Sequence, residues 1–178
     1  VICKSKKDFD KKKAKEILET SLKNDYYLQS REWPYKNVKR RIIAEDYMED
    51  SSTAELRDYK FFCFNGICKA MFVASDRQDK NKETKFDFYD ENFTHLPFTN
   101  GHPNSEKKQE KPVTFEKMKE LAERLSAGIP HARVDFYEVD GRNYFGEITF
   151  YHWSGMVPFN PESWDYKLGS WIQLPNRT

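Results

Sequence analysis

Residues 132–151, ARVDFYEVDGRNYFGEITFY, read as two alternating strands joined by a turn. Successive side chains of a strand point to opposite sides of a sheet, so Val134 and Phe136 share one face of the first strand and Arg133, Asp135 and Tyr137 the other. In the second strand Tyr144, Ile148 and Phe150 fall on one face, and Phe145, Glu147 and Thr149 on the other. The dipeptide Asp140-Gly141 alone suggests a two-residue hairpin, a register that sets Asp135 opposite Gly146 and splits the two carboxylates between faces. A three-residue loop, Asp140-Gly141-Arg142, instead sets Asp135 opposite Glu147 and Arg133 opposite Thr149. The apolar pattern selects this second register, because a one-residue slip moves every side chain to the other face. Two carboxylates, a guanidinium and a hydroxyl then share one sheet face, a set suited to metal and phosphate rather than to packing.

The rest of the chain sets the bounds. At 178 residues it suits one domain, 1–178, with enough length for a core. Lys and Arg number 30 against 29 Asp and Glu, so no global field points to nucleic acid or to a membrane surface. Aromatics reach 16%, so the core is built largely from Phe, Tyr and Trp. No apolar run approaches the roughly 20 residues of a membrane helix, and no signal peptide opens the chain. Three cysteines make no disulfide framework, which suggests a reducing, cytoplasmic setting. The first residue is Val1, and the abrupt start suggests an N-terminal truncation.

Along the chain, Asp8 or Asp10 can cap a helix to about Asn24, with Ala14, Ile17, Leu18 and Leu22 in one stripe. Residues 31–39 form an irregular segment around Trp33-Pro34-Tyr35, and 41–48 (RIIAEDYM) read as a buried strand followed by a polar loop at 49–55. Residues 58–64 and 67–75 alternate around Asn65-Gly66, a strong hairpin signal that sets Cys63 opposite Cys68. Two small buried thiols are the plainer reading of that pair; a cross-strand disulfide or half a metal site is the sharper one. Residues 76–92 and 99–111 read as charged, mobile loops. A second helix covers 114–127 and stops at Gly128, and 161–171 form a short helix opened by proline. The order gives an α+β fold with mainly antiparallel sheets and flanking helices.

Asp135 and Glu147 are the leading metal candidates. Like charges side by side on a strand pair repel unless a cation lies between them, and magnesium takes carboxylates together with waters and phosphates. The plainer alternatives are a strand face with routine charges, and an Arg133 that merely neutralises the acids. Arg133 beside a metal suits phosphate or a carbonyl that develops charge. Asp58 and Lys60 share a strand face and read either as an ion pair or as ribose and phosphate contacts. Glu45 and Asp46 are equally open. The four histidines lack metal-ligand spacing, and the chain has no Walker loop and no dinucleotide fingerprint.

The blocks RIIAEDYM, DYKFFCFNG and LAERLSAGIPHARVDFYEVDGRNYFGEITFYHWSGMVPFNPESWDYKLG, with KKDFDKKKAKEIL and REWPYK upstream, resemble the TupA-like ATP-grasp proteins of bacterial polysaccharide and teichuronopeptide biosynthesis. The resemblance implies an ATP-grasp-like fold with the N-terminal part missing, and a ligase that joins a carboxylate to an amine with ATP and Mg2+. It implies small-molecule or saccharide substrates, other polysaccharide-assembly enzymes as partners, and neither nucleic acid nor membrane insertion. By position in its motifs, Asp135 and Glu147 hold magnesium, with Thr149 where the family pattern E-x-N has asparagine, and Arg133 steadies the transferring phosphoryl group. Glu45, Asp46, Tyr47 and Met48 match the segment whose backbone receives adenine, Asp58 matches the ribose acid, and Lys60 a phosphate contact. The resemblance places the family's lysine and glycine-rich loop just upstream of Val1. A metal-dependent glycosyltransferase and a non-catalytic accessory module are the competing expectations.

Overall fold

A computed structural model describes residues 1–51, 55–77 and 81–176. The chain divides into two compact units, Val1–Met48 and Glu49–Thr178. The expected loops at 49–55 and 76–92 lie partly outside the described residues.

The N-terminal unit is helical. Helix α1 (Lys11–Lys23) begins where Asp10 accepts the backbone N–H of Lys13 at 2.9 Å, the usual work of an acidic cap. A short α2 (Tyr27–Ser30) and a 3-10 turn at Trp33–Tyr35 follow. Residues 41–48 form no strand, contrary to the sequence reading. Ile42 and Ile43 are exposed, and among its described residues this unit offers no second strand to satisfy a ladder.

The C-terminal unit is built on β1 (Asp58–Phe64), β2 (Ile67–Ser75), β3 (Lys85–Asp90), β4 (Thr99–Asn100), α3 (Phe115–Leu125), β5 (His131–Val139), β6 (Arg142–Thr149), β7 (Phe159–Asn160) and α4 (Ser163–Gly169). Five strands form one antiparallel sheet in the order β3-β2-β1-β5-β6, and β4 pairs with β7. Helix α3 packs Phe115, Met118 and Ala122 onto one sheet face, against Phe61, Met71, Val73, Val134 and Phe136. The opposite face is apolar at one end, where Phe62, Phe64, Phe72 and Phe88 meet Phe98 and Leu168. At its other end the same face carries Asp58, Lys60, Arg133 and Asp135, all buried. One surface thus passes from an aromatic core to a sealed charge cluster.

Strand β3 lies inside a segment read from sequence as a loop. Its charges hid the alternation of Phe86 and Phe88, which enter the second core. Nor is the expected loop at 99–111 untethered: buried Asp87 accepts from the Ser105 backbone at 2.8 Å, the Ser105 hydroxyl at 2.6 Å and the Gln109 amide at 3.0 Å. Cys63 does face Cys68 across the first hairpin, and both are free thiols.

The β5–β6 hairpin corrects the expected turn and keeps its consequence. Asp140 and Gly141 both have positive φ (49° and 72°), and Val139 pairs with Arg142, so the turn has two residues, not three. The register then shifts between Val134 and Phe136, leaving Asp135 opposite both Gly146 and Glu147. This bulge supplies the extra residue that the apolar pattern demanded. Beyond it, Arg133 pairs with Thr149 as expected. Before it, Phe145 turns to the Phe136 side, where the two rings meet edge-on at 6.2 Å, instead of sharing the face of Glu147.

Gly146 is required where the strand swings past its partner. A Cβ there would lie 3.2 Å from the Asp135 carbonyl oxygen and 3.3 Å from Tyr137 Cε2. Gly146→Ala is expected to cost about 1–3 kcal/mol, measured by urea denaturation. A change within about 0.5 kcal/mol, the range of a neutral surface substitution, would argue against the bulge.

Candidate functional site

Antiparallel pairing sets Lys60 of β1 beside Asp135 of β5, and Asp58 two residues away on the same face. The Lys60 ammonium bridges the two acids, 2.8 Å from Asp58 Oδ2 and in close contact with Asp135 Oδ2. Arg133 grips Asp135 as a two-pronged fork: Nε donates to Oδ1 and Nη2 to Oδ2, both at 2.8 Å. The same Nη2 donates to Glu147 Oε1 and to Thr149 Oγ1, each at 2.8 Å. Asp135, Glu147 and Thr149 therefore converge on one nitrogen. Bidentate, charge-assisted bonds of this kind are the strong ones.

Burial alone would lower the Arg133 pKa; the carboxylates of Asp135, Glu147 and Asp58 overcome it and raise the value. Asp58 has the opposite balance, its pKa raised by burial despite Lys60. One of its oxygens takes Lys60 and Arg77, and the other, Oδ1, is buried without a hydrogen-bond partner among the described residues.

Two residues that the sequence reading left out fix the guanidinium from its other side. Nη1 of Arg133 lies 2.8 Å from Nδ1 of His152, and His152 Nε2 lies 2.8 Å from Oδ1 of Asn100. Asn100, 1% exposed, donates its amide to the carbonyls of Val157 and Pro158 at 2.9 and 3.1 Å. A guanidinium can only donate, so Nδ1 accepts and Nε2 carries the proton. His152 is held neutral, its pKa pushed down to about 3 by burial and then by the charges of Arg133 and Lys60. Nothing in residue spacing marks this chain of contacts. Arg77, on Asp58, was likewise missed.

Above the cluster opens a cavity of about 240 Å³, reached by Lys60, Arg77, Arg133 and Glu147. Among the described residues no three carboxylate, imidazole or thiolate side chains converge as an all-protein metal cage. Magnesium does not need one: it keeps several waters and binds through one or two carboxylates plus substrate phosphates. Asp135 and Glu147 supply hard oxygens on one face, and in this structure Arg133 Nη2 is the cation between them. Glu147 keeps its carboxylate open to a magnesium-nucleotide, whereas both oxygens of Asp135 are taken by Arg133 and Lys60.

Glu45, Asp46, Tyr47 and Met48 belong to the N-terminal unit, in an irregular segment where Lys4 stands over the Tyr47 ring at 5.1 Å.

A family model described as TupA-like ATPgrasp matches residues 1–173 of the 178. The chain belongs to that family. Its α+β, antiparallel architecture is compatible with the ATP-grasp fold. No curated protein and no solved structure matches it. Family membership supports a general ATP-grasp role, with ligase chemistry and ATP as what such a family suggests. Among the described residues no helix is long and apolar enough to cross a membrane.

Proposed function

We propose that the chain is, or is part of, an ATP- and magnesium-dependent carboxylate–amine ligase of bacterial surface-polysaccharide assembly. The observation that carries the reading is the convergence of Asp135, Glu147 and Thr149 on a single Arg133 nitrogen at the edge of a cavity. The polysaccharide setting rests on the family resemblance alone.

In this reading Glu147 at the cavity edge, with the Thr149 hydroxyl beside it, would hold magnesium, and buried Asp135 steers Arg133 next to it; a bound ion would neutralise phosphate charge and orient the transferring group. A substrate carboxylate oxygen takes the terminal phosphoryl group of ATP and ADP leaves. An amine then attacks the resulting acyl carbon and phosphate departs. Arg133, already aimed by Asp135 and His152, offers a fixed positive charge where negative charge grows, and pays no reorganisation cost at that moment. Lys60 has three N–H donors and spends two on Asp58 and Asp135; the third is available to a phosphate oxygen. Glu45, Asp46, Tyr47 and Met48 are proposed for the adenine side. Asp58, matched to ribose by the resemblance, is 2% exposed; its burial suits it to anchoring Lys60 and Arg77 rather than to an open ribose contact.

Calorimetric titration with magnesium-ATP tests the reading, with Glu147→Gln as the decisive variant because its side chain is 62% exposed and the fold does not depend on it. The expected result is binding by the parent chain and a loss of about tenfold or more in affinity for the variant, with an unchanged melting temperature. Preference for a nucleotide-sugar would move the assignment to a glycosyltransferase. Absence of any nucleotide binding would leave an accessory module.

A further inference from the structure

One wall of the 240 Å³ cavity is aromatic, formed by Phe86, His102 and Trp153. Trp153 packs among aromatic side chains. Phe86 stacks behind it at 6.3 Å with 27° between the planes, and His102 lies at 5.9 Å. Gly101 approaches so closely that a Cβ there would fall 3.2 Å from the indole Nε1. The Trp153 backbone sits in the left-handed region (φ 50°, ψ 34°), as does Ser154 (φ 55°, ψ 18°). A bulky residue adopts that conformation only where its surroundings over-determine it, and such outliers cluster at ligand sites. Despite this support Trp153 remains 42% exposed. The fold spends backbone strain to present an indole at a cavity that protein atoms leave open.

The remaining wall is cationic. Asp58 and Asp135 are sealed beneath the sheet face, whereas Lys60, Arg77 and Arg133 reach the opening, with Glu147 as the acid among its described lining. Arg77 has five N–H donors and places one on Asp58; half of its side chain is exposed. A planar guanidinium matches a carboxylate in bidentate fashion. The volume falls below the ~300–1,000 Å³ of sites that enclose drug-sized ligands, which suits a single substituted ring and not a whole nucleotide.

We propose that this cavity is a subsite for a small carboxylate borne on a ring, the ring lying on Trp153 and the carboxylate meeting Arg77. Trp153 and Arg77 are then the residues that set specificity. The subsite deepens the ligase reading and rests on it for the fate of the bound carboxylate, but the binding itself needs no nucleotide.

The test follows the indole N–H resonance of Trp153, assigned with Trp153→Phe, while the nucleotide-free protein is titrated with benzoate, acetate, benzamide and inorganic phosphate. Benzoate is expected to bind about tenfold tighter than the other three. Trp153→Leu should reduce benzoate to the affinity of acetate, and Arg77→Gln to that of benzamide, with circular dichroism confirming that both variants fold. Equal binding of benzoate, acetate and phosphate would overturn the proposal in favour of a plain anion site. Equal binding of benzamide would reduce the cavity to an apolar slot, and no binding of benzoate would also overturn it. A magnesium-ATP titration on the same sample separates the two readings. Nucleotide bound without benzoate overturns the subsite and spares the ligase; benzoate bound without nucleotide does the reverse.

Discussion

Arg133→Met is expected to destabilise the C-terminal unit by about 3–5 kcal/mol, the usual loss when one member of a buried ion pair is removed. Asp135 is 1% exposed, and two of its three charge-assisted contacts come from Arg133. The variant leaves its carboxylate sealed with Lys60 alone, and Lys60 must also serve Asp58. Loss of the Glu147 contact adds little, because that carboxylate is largely in water. The exposed pair Lys117–Glu120, at the same 2.8 Å, gives the contrast: breaking it is expected to leave the urea midpoint unchanged. Burial, not distance, makes the difference. Urea denaturation of Arg133→Met and of Arg133→Met with Asp135→Asn checks the cause. The second change should restore part of the loss, since it removes the stranded charge. A loss below about 1 kcal/mol for the single variant would show that the cluster does not hold Asp135 in solution.

How this site could be read in advance varies from residue to residue. The face shared by Asp135 and Glu147 was legible because strand parity admits only two answers and the neighbouring Val134, Phe136 and Ile148 have to go inward. The route to that face was not. The turn dipeptide and the apolar alternation gave conflicting registers, and the structure satisfies both by inserting a bulge at Gly146. A bulge is a property of two strands in contact, so one strand's sequence does not announce it. The first hairpin repeats the device, with a two-residue Asn65-Gly66 turn and a register shift between Phe62 and Cys63. Strand β3 was missed because Lys85, Asp87 and Asp90 lower its mean hydropathy while Phe86 and Phe88 supply the packing. Residues 41–48 erred the other way, since an apolar run needs a partner before it becomes a strand. His152, Asn100 and Arg77 stand furthest from sequence logic. Arg77 follows β2, Asn100 ends β4 and His152 follows β6, and only the folded topology brings Arg77 to Asp58 and the His152–Asn100 pair to Arg133.

His152→Gln is expected to remove much of the acid sensitivity of the C-terminal unit. The imidazole is wedged against Phe62 at 5.2 Å and Phe72 at 5.3 Å, and it faces Arg133, Lys60 and His131. With Nδ1 accepting from Arg133, a proton there would confront a guanidinium and forfeit a hydrogen bond. Its folded pKa of about 3 lies below the ordinary imidazole value of 6.5, which it regains on unfolding. The stability it contributes is therefore complete above pH 6.5 and declines as the pH falls toward 3, because the unfolded chain takes up a proton that the folded chain refuses. The slope approaches about 1.4 kcal/mol per pH unit for one such group. His131, whose pKa burial also lowers, adds loss of the same sign from the same starting pH. Asp58 opposes both at the acid end: its raised pKa lets the folded state bind a proton before the unfolded state does, which adds stability as the pH falls toward 3.8. Between pH 6.5 and 5 the histidines dominate. Urea midpoints at pH 7.5, 6 and 5 should fall steeply for the parent chain and less steeply for His152→Gln, where an uncharged amide replaces the imidazole and of the two buried histidines His131 remains. Identical slopes for the two proteins would mean that His152 is protonated in the folded state, and the Arg133–His152–Asn100 chain of hydrogen bonds would have to be abandoned.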